Sequence, residues 1–140
     1  MQFVFSTKKF KRYQFPTHIN DLVMDRADAH TSEAFIVVLD PGQAPPLHKH
    51  DETEQIFYVL DGQGTLTIGK DGQKYPVKPG DIVRIPPTTL HSIKADGKEQ
   101  LRYLAIDCFC GGRPKDEPTW DNRARTICRE NGWNYNEVVK

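Results

Sequence analysis

The chain is poor in sulfur and carries no surplus of charge. Among 140 residues there are three cysteines, and nineteen acidic side chains balance nineteen basic ones for a formal net charge of zero. Cys108, Cys110 and Cys128 leave at least one thiol unpaired, so disulfides are not expected to hold the fold. A reduced, cytoplasmic setting is the simplest reading. Charge balance removes the electrostatic case for nucleic acid or a membrane as a partner. Long apolar runs are also missing: no stretch approaches the ~20 residues of a spanning helix. Lysines interrupt the N-terminal MQFVFSTKKFKRYQF, which has no small-residue cleavage site and does not read as a secretory signal. There is no internal repeat, no low-complexity stretch, no G-x-S-x-G elbow, no G-x-G-x-x-G and no P-loop, so nucleophilic hydrolysis and nucleotide binding have no support. The length suits one domain that buries roughly 68% of its unfolded surface without covalent staples.

What is present is concentrated in two segments. Gly42–Gly62 reads GQAPPLHKHDETEQIFYVLDG, with His48 and His50 two apart before an obvious strand, IFYVL. Alternate residues of an extended segment point to one face, so both imidazoles can reach one ion. Imidazole suits Zn, Cu, Fe and Ni better than calcium or magnesium. About forty residues later comes Gly80–Ala95, GDIVRIPPTTLHSIKA. It reads as a Gly80-Asp81 turn, a strand Ile82–Ile85 ended by Pro86-Pro87, and a further strand opened by His91.

Together the two segments resemble the paired motifs of the cupin superfamily. Gly42, His48, His50, Gly80, Pro86 and His91 stand at matching spacing, and the resemblance covers roughly residues 34 to 110. Two positions depart from the pattern without removing a ligand: Thr88, where the family usually has glycine, and Ala95, where it usually has asparagine. The family's fourth ligand is usually glutamate. Counting back over six intervening residues from Gly62 gives Gln55, whereas counting on from His50 over three or four admits Glu54 or Gln55. Gly62 is the better anchor, because the turn Asp51–Thr53 can absorb a residue and the strand cannot, so Gln55 is expected to ligate through its side-chain oxygen. Glu54 as the ligand is the alternative. Glutamine there is similar to small cupins that linearise unsaturated uronates. The resemblance thus implies one divalent transition metal (Zn, Ni, Fe or Mn) on His48, His50, Gln55 and His91. Four neutral ligands would leave the local charge near +2, favouring an anionic substrate or hydroxide.

Turn chemistry separates nine candidate strands: Gln14–Phe15, Leu22–Met24, Ala34–Leu39, Glu54–Leu60, Thr65–Ile68, Lys74–Val77, Ile82–Ile85, His91–Lys94 and Gln100–Cys108. Such spacing predicts an all-β sandwich or barrel, and the resemblance implies a cupin jelly-roll barrel. Asp71-Gly72 reads as a two-residue hairpin turn with positive φ at both positions, and Gly62-Gln63-Gly64 as another hairpin turn. The barrel, with its N-terminal strands, is expected over residues 1–113. Residues 114–140 follow as a linker and a short C-terminal helix packed on the barrel. Thr119 caps that helix, Gly132 ends it, and Trp120, Ala124, Ile127 and Cys128 form its packing face. Arg123, Arg125 and Arg129 are expected in solvent. Phe3, Phe5, Phe10, Tyr13 and Phe15 are expected to pack around an added strand. Cys108 and Cys110 read as small buried hydrophobes, and His18 and His30 as surface histidines. Similarity to other cupins implies a homodimer.

Strand Tyr103–Cys110 puts Asp107 and Phe109 on one face. The resemblance gives Asp107 a role in proton transfer. An aspartate that ends the strand or pairs with Arg84, Arg102 or Arg113 is the alternative. Tyr58 and Tyr103 are further candidates to line the barrel. Two functional classes remain. One is a small metal-dependent enzyme acting on a sugar, uronate or other oxygenated small molecule by isomerisation, ring opening or lyase chemistry, with an iron-dependent dioxygenase as a variant. The other is a non-catalytic carbohydrate-binding module.

Overall fold

The computed structural model describes residues 1–139; Lys140, the last residue of the expected C-terminal segment, lies outside the described residues. Nine strands follow in chain order: β1 (Lys11–Gln14), β2 (Ile19–Met24), β3 (Ser32–Leu39), β4 (Thr53–Asp61), β5 (Gln63–Ile68), β6 (Gln73–Val77), β7 (Ile82–Ile85), β8 (His91–Asp96) and β9 (Leu101–Phe109). Two helices close the chain, α1 (Trp120–Asn131) and α2 (Tyr135–Val138). The strands form two antiparallel sheets in the orders β1-β2-β3-β9-β4-β7 and β6-β5-β8. This is the jelly-roll architecture expected from the strand and turn spacing.

The alternation that makes these segments strands also builds the core. Along β9 every second residue from Leu101 through Tyr103, Ala105 and Asp107 to Phe109 is buried. Phe35, Val37 and Leu39 of β3 and Phe57 and Val59 of β4 meet them from the neighbouring strands. Leu66, Ile93 and Ala95 close the core from the second sheet. Each fully buried Leu, Ile or Phe contributes about 1.5–3 kcal/mol.

Several local expectations change. The first strand lies at Lys11–Gln14, and Phe15 follows it as a buried residue outside the sheet. Tyr13 and Phe15 are core residues, but Phe3 and Phe10 are exposed, because no strand forms before Lys11 to carry them inward. The Asp71-Gly72 hairpin is instead a four-residue loop, Gly69–Gly72, closing on the pair Ile68↔Gln73, and its positive φ values belong to Gly69 and Gly72. Gly62 does not turn a hairpin. It lies where the chain leaves the six-stranded sheet for the three-stranded one, with φ 81° and no room for a Cβ, which would fall 2.2 Å from the Gln100 carbonyl oxygen. Cys110 is exposed and Cys108 half-buried, because Cys108 falls on the outer face of β9; Cys128 is buried.

Helix α1 is capped as expected. Thr119 accepts from the Asn122 amide in a reciprocal capping box, and Gly132 ends the helix in the left-handed conformation. Trp120, Ala124 and Cys128 are buried beneath it, and the Trp120 ring lies 4.7 Å from that of Phe35. The helix does not simply lean on the outside of the barrel. Trp120, Arg123, Ile127 and Glu130 line the same cavity as His48, His50 and His91, so α1 roofs the open end. Arg123 therefore faces inward, while Arg125 and Arg129 are in solvent. Asp121 fastens α2 to α1 and β1 through the hydroxyls of Tyr135 and Tyr13.

Candidate metal centre

His48 and His91 are set by backbone pairing. The two form an antiparallel bridge, with His91 N–H donating to the His48 carbonyl at 2.9 Å and His48 N–H returning at 3.2 Å. His50 is held by the loop that opposes it: Thr88 N–H donates to the His50 carbonyl at 2.7 Å. Thr88 reaches that position with φ 65°, the only positive φ outside glycine among the described residues. A β-branched residue is strained there, which accounts for the preference for glycine at this point of the motif.

The ligand-capable atoms of His48, His50 and His91 all lie within 4.8 Å of one another, a cluster that can hold a metal ion. Second contacts select the tautomers. His48 Nδ1 lies 2.6 Å from the Pro46 carbonyl oxygen and His91 Nδ1 2.9 Å from that of Thr89. A carbonyl only accepts, so both Nδ1 atoms carry the proton and both Nε2 atoms present lone pairs. Burial draws His48 below the ordinary imidazole range, His91 down to about 4 and His50 down to about 3; the charge of His48 adds to the effect on the other two, and the charge of Asp107 opposes it in all three. The imidazoles are neutral at physiological pH, as coordination requires.

The strand register puts the two candidates for the fourth position on opposite faces of β4. Gln55 is 5% exposed and lines the cavity, whereas Glu54 lies on the outer face, 3.7 Å from Arg84. Asp107 stands opposite Gln55 on β9 and accepts a 2.8 Å hydrogen bond from Gln55 Nε2. Gln55 Oε1 and His91 Nε2 are both buried without a partner. Buried polar atoms in native folds are normally paired, so two orphaned lone pairs facing one cavity are the observation against which a metal is tested. A divalent ion fits, since it would satisfy both.

Behind Asp107 the row continues. Glu33 pairs with Asp107 across β3 and β9, is fully buried, and accepts two hydrogen bonds from Arg26, at 2.8 and 2.9 Å. Burial and the adjacent Asp107 carboxyl push the Glu33 carboxyl up, against the pull of Arg26. Arg26 also donates to the Glu117 carbonyl at 3.0 Å, which ties the row to the segment leading into α1. Arg84, Arg102 and Arg113 instead contact Glu54, Asp61 and the Ala29 carbonyl.

Other candidates are redistributed. Tyr103 lines the cavity, but Tyr58 points outward. His30 is exposed, as expected, but His18 is buried, stacked 4.9 Å from Phe15, and lines the cavity. Asn20, Arg26, Glu33 and Trp133 carry no motif. The signals for Glu33 and Arg123 were nonetheless in the pattern. The inward alternation Phe35, Val37, Leu39 runs back to Glu33, and Arg123 lies on the i, i+3, i+4, i+7 stripe of Trp120, Ala124 and Ile127. The cavity holds about 350 Å³, the size of a small-molecule site.

The family model described as "Cupin domain" matches residues 35–107, just over half of the chain. An oxalate-binding protein of Thermotoga maritima is 35% identical over 68 residues, 49% of this chain and 54% of the relative. Quercetin 2,3-dioxygenase of Bacillus subtilis is 36% identical over 73 residues, 50% of this chain and 21% of the relative. The chain spans about half or less of the length of the curated relatives it matches. The solved polyketide cyclase RemF from Streptomyces resistomycificus superposes with a TM-score of 0.68 at 23% identity, covering 81% of this chain and 82% of that one, a likeness of fold. With a matching family model, a shared barrel and both histidine motifs converging on one cavity, the chain belongs to the cupin family.

Proposed function

We propose that the chain is a metal-dependent enzyme acting on a small oxygenated molecule by isomerisation, ring opening or lyase chemistry. The observation that carries this reading is the pair of orphaned lone pairs, His91 Nε2 and Gln55 Oε1, in a cavity that also holds His48 and His50. His48, His50, Gln55 and His91 would hold one divalent transition metal, drawn from Zn, Ni, Fe or Mn by ligand type. Such an ion supplies Lewis-acid polarisation of a carbonyl or hydroxyl oxygen.

The protein's own groups do the rest. Asp107 keeps the Gln55 amide oriented, and its carboxylate, 6% exposed at the cavity wall, is placed to take or return a proton at a substrate carbon or oxygen. Arg26 and Glu33 hold Asp107 from behind. Phe35, Phe57 and Trp133 keep the walls apolar, and α1 limits the entry of water. A non-catalytic binding module is the second reading, favoured by the similarity to a relative named for binding oxalate.

Elemental analysis of protein purified without added metal is the first test, with about one transition ion per chain expected. Panels of sugars, uronates and oxygenated acids follow, with oxygen uptake monitored to detect dioxygenase turnover. Full metal occupancy in a His48→Ala/His50→Ala/His91→Ala variant would place the site elsewhere. A metal-loaded protein that binds members of the panel and turns none over would support the binding module.

A further inference from the structure

The family match ends at residue 107, yet part of the cavity is built from chain outside it: Asn20 before the matched segment, and Trp120, Arg123 and Trp133 after it. We propose that these residues form an anion subsite, in which Arg123 takes the carboxylate of a ring-bearing hydroxy acid while the opposite end of that ligand faces the three histidines. The proposal deepens the metal-enzyme reading and rests on it for the position of the reacting end alone.

Arg123 is a cation with donors to spare. Arg123 lines the cavity and, among the described residues, its guanidinium donates no hydrogen bond; its one ion-pair contact is Glu117 Oε2, at a loose 3.7 Å. A guanidinium has five N–H donors in a planar fork that matches a carboxylate. The other charged groups on the cavity wall are committed or peripheral. Lys49 pairs with Asp51 at 3.0 Å, Asp107 accepts from Gln55, and Glu130 is exposed at the rim.

A second and independent observation points to a ligand. Asn20 is 4% exposed, its side chain lines the cavity, and its Oδ1 is buried without a partner. The Nε1 of Trp120 is likewise buried and unpartnered. One offers an acceptor and the other a donor, and a ligand hydroxyl can serve either. Histidine nitrogens on the barrel side and a loosely paired Arg123 on α1, with Asn20 and Trp120 beside it, suit a ligand with a polar group at each end. Between them the walls are Phe35, Trp133 and Ile127, which suit the flat face of a ring.

The test is calorimetric binding to the metal-loaded full chain, using two pairs of probes that differ in the acid group: D-galacturonate with D-galactose, and 4-hydroxybenzoate with 4-hydroxybenzyl alcohol. The expected result is that at least one acid binds tenfold or more tighter than its neutral twin. That preference should vanish in Arg123→Gln, with metal content and melting temperature unchanged, and persist in part in Arg123→Lys. Arg123→Met, which preserves the aliphatic packing, replaces Arg123→Gln should the latter fail to fold. The acid that binds identifies a sugar or an aromatic source. Binding of neither acid, equal binding of acid and twin, or a preference that survives loss of the guanidinium overturns the proposal. Metal content read on the same samples separates the two claims. An Arg123-dependent acid preference in protein that takes up no metal would remove the metal-enzyme reading and leave the subsite. A metal-loaded protein indifferent to Arg123 would do the reverse.

Discussion

Gln55 and Asp107 face each other across the β4–β9 pairing, and the Gln55 amide nitrogen donates to the Asp107 carboxylate at 2.8 Å. An ionised carboxylate only accepts, so the contact settles which end of the amide is which and turns the oxygen away from Asp107. The amide is thereby pre-set, and its oxygen stays buried without a partner in the wall of the cavity that the histidines also line.

Exchanging that amide for a carboxylate has a definite consequence. Gln55→Glu should keep or raise metal affinity in chelator competition, because a charged ligand replaces a neutral one. It also places two carboxylates face to face and lowers the charge of the site, so anionic ligands should bind about tenfold more weakly, ~1.4 kcal/mol. Glu54→Gln removes only a loose outer-face contact with Arg84 and should leave metal affinity within about twofold. Tighter binding of anions by Gln55→Glu would contradict the assignment.

The three histidines should not be interchangeable with smaller residues. Each of His48→Ala, His50→Ala and His91→Ala should lower metal affinity by more than the roughly 10–100-fold seen on losing an outer-shell partner. Competition with a colorimetric chelator measures this. A variant that binds metal like the unaltered protein takes its histidine out of the ligand set.

Asp107→Asn tests proton transfer. The amide can still meet Gln55 after rotation, so fold and metal content should be kept while turnover on an identified substrate falls by about 100-fold or more. Unchanged rates, or a collapse of thermal stability, would return Asp107 to a purely structural part.

The Arg26–Glu33 pair should behave as a buried unit. With side chains 3% and 0% exposed, it is nearly dry. Glu33→Gln or Arg26→Met alone should cost about 3–5 kcal/mol in urea unfolding, because either leaves buried polar groups of the partner without their hydrogen bonds. The double variant Arg26→Met/Glu33→Met should cost much less than the sum. Additive losses would mean that the two residues are not coupled.

Acid should destabilise the metal-free protein through its buried histidines. Burial lowers His18 to about 3, against an unfolded value near 6.5. The unfolded chain therefore takes up the proton first as pH falls. The contribution of His18 is intact above pH ~6.5 and erodes as pH drops from there towards 3. His50, lowered to about 3, and His91, lowered to about 4, act in the same direction. His18→Phe should flatten the stability profile between pH 6 and 4.5 by about 1.4 kcal/mol per pH unit. An unchanged slope in chelator-treated protein would show that His18 does not stay neutral in the fold.

The barrel was legible because its strands alternate cleanly and its turns carry Gly, Pro and Asp. The positions of His48, His50 and His91 followed from spacing, and Gln55 was placed on the inner face by counting from Gly62 rather than from the irregular turn at Asp51. What escaped was everything without local pattern. Phe3 and Phe10 look like core residues, but the strand that would carry them inward does not form. The Gly69–Gly72 loop holds two glycines that each take positive φ, and its true length depends on pairing between β5 and β6. Arg123 was read by residue type, as a surface cation, although the helical period already placed it beside Trp120 and Ile127. His18 gave no signal at all: its burial depends on Phe15 and Trp133, which meet it only in the folded chain.

The helix over the barrel mouth has a consequence for how such a protein can diverge. The inner donors Gln55 and Asp107 and the three histidines all lie within residues 35–107, whereas Trp120, Arg123 and Trp133 come from the tail. On the proposed reading, the metal ligands and the acid-selecting residues would thus sit on separate stretches of chain. Drift or recombination in the last thirty or so residues could retune which molecule is admitted without disturbing the donors beneath. For an engineer, the tail is accordingly the part to graft.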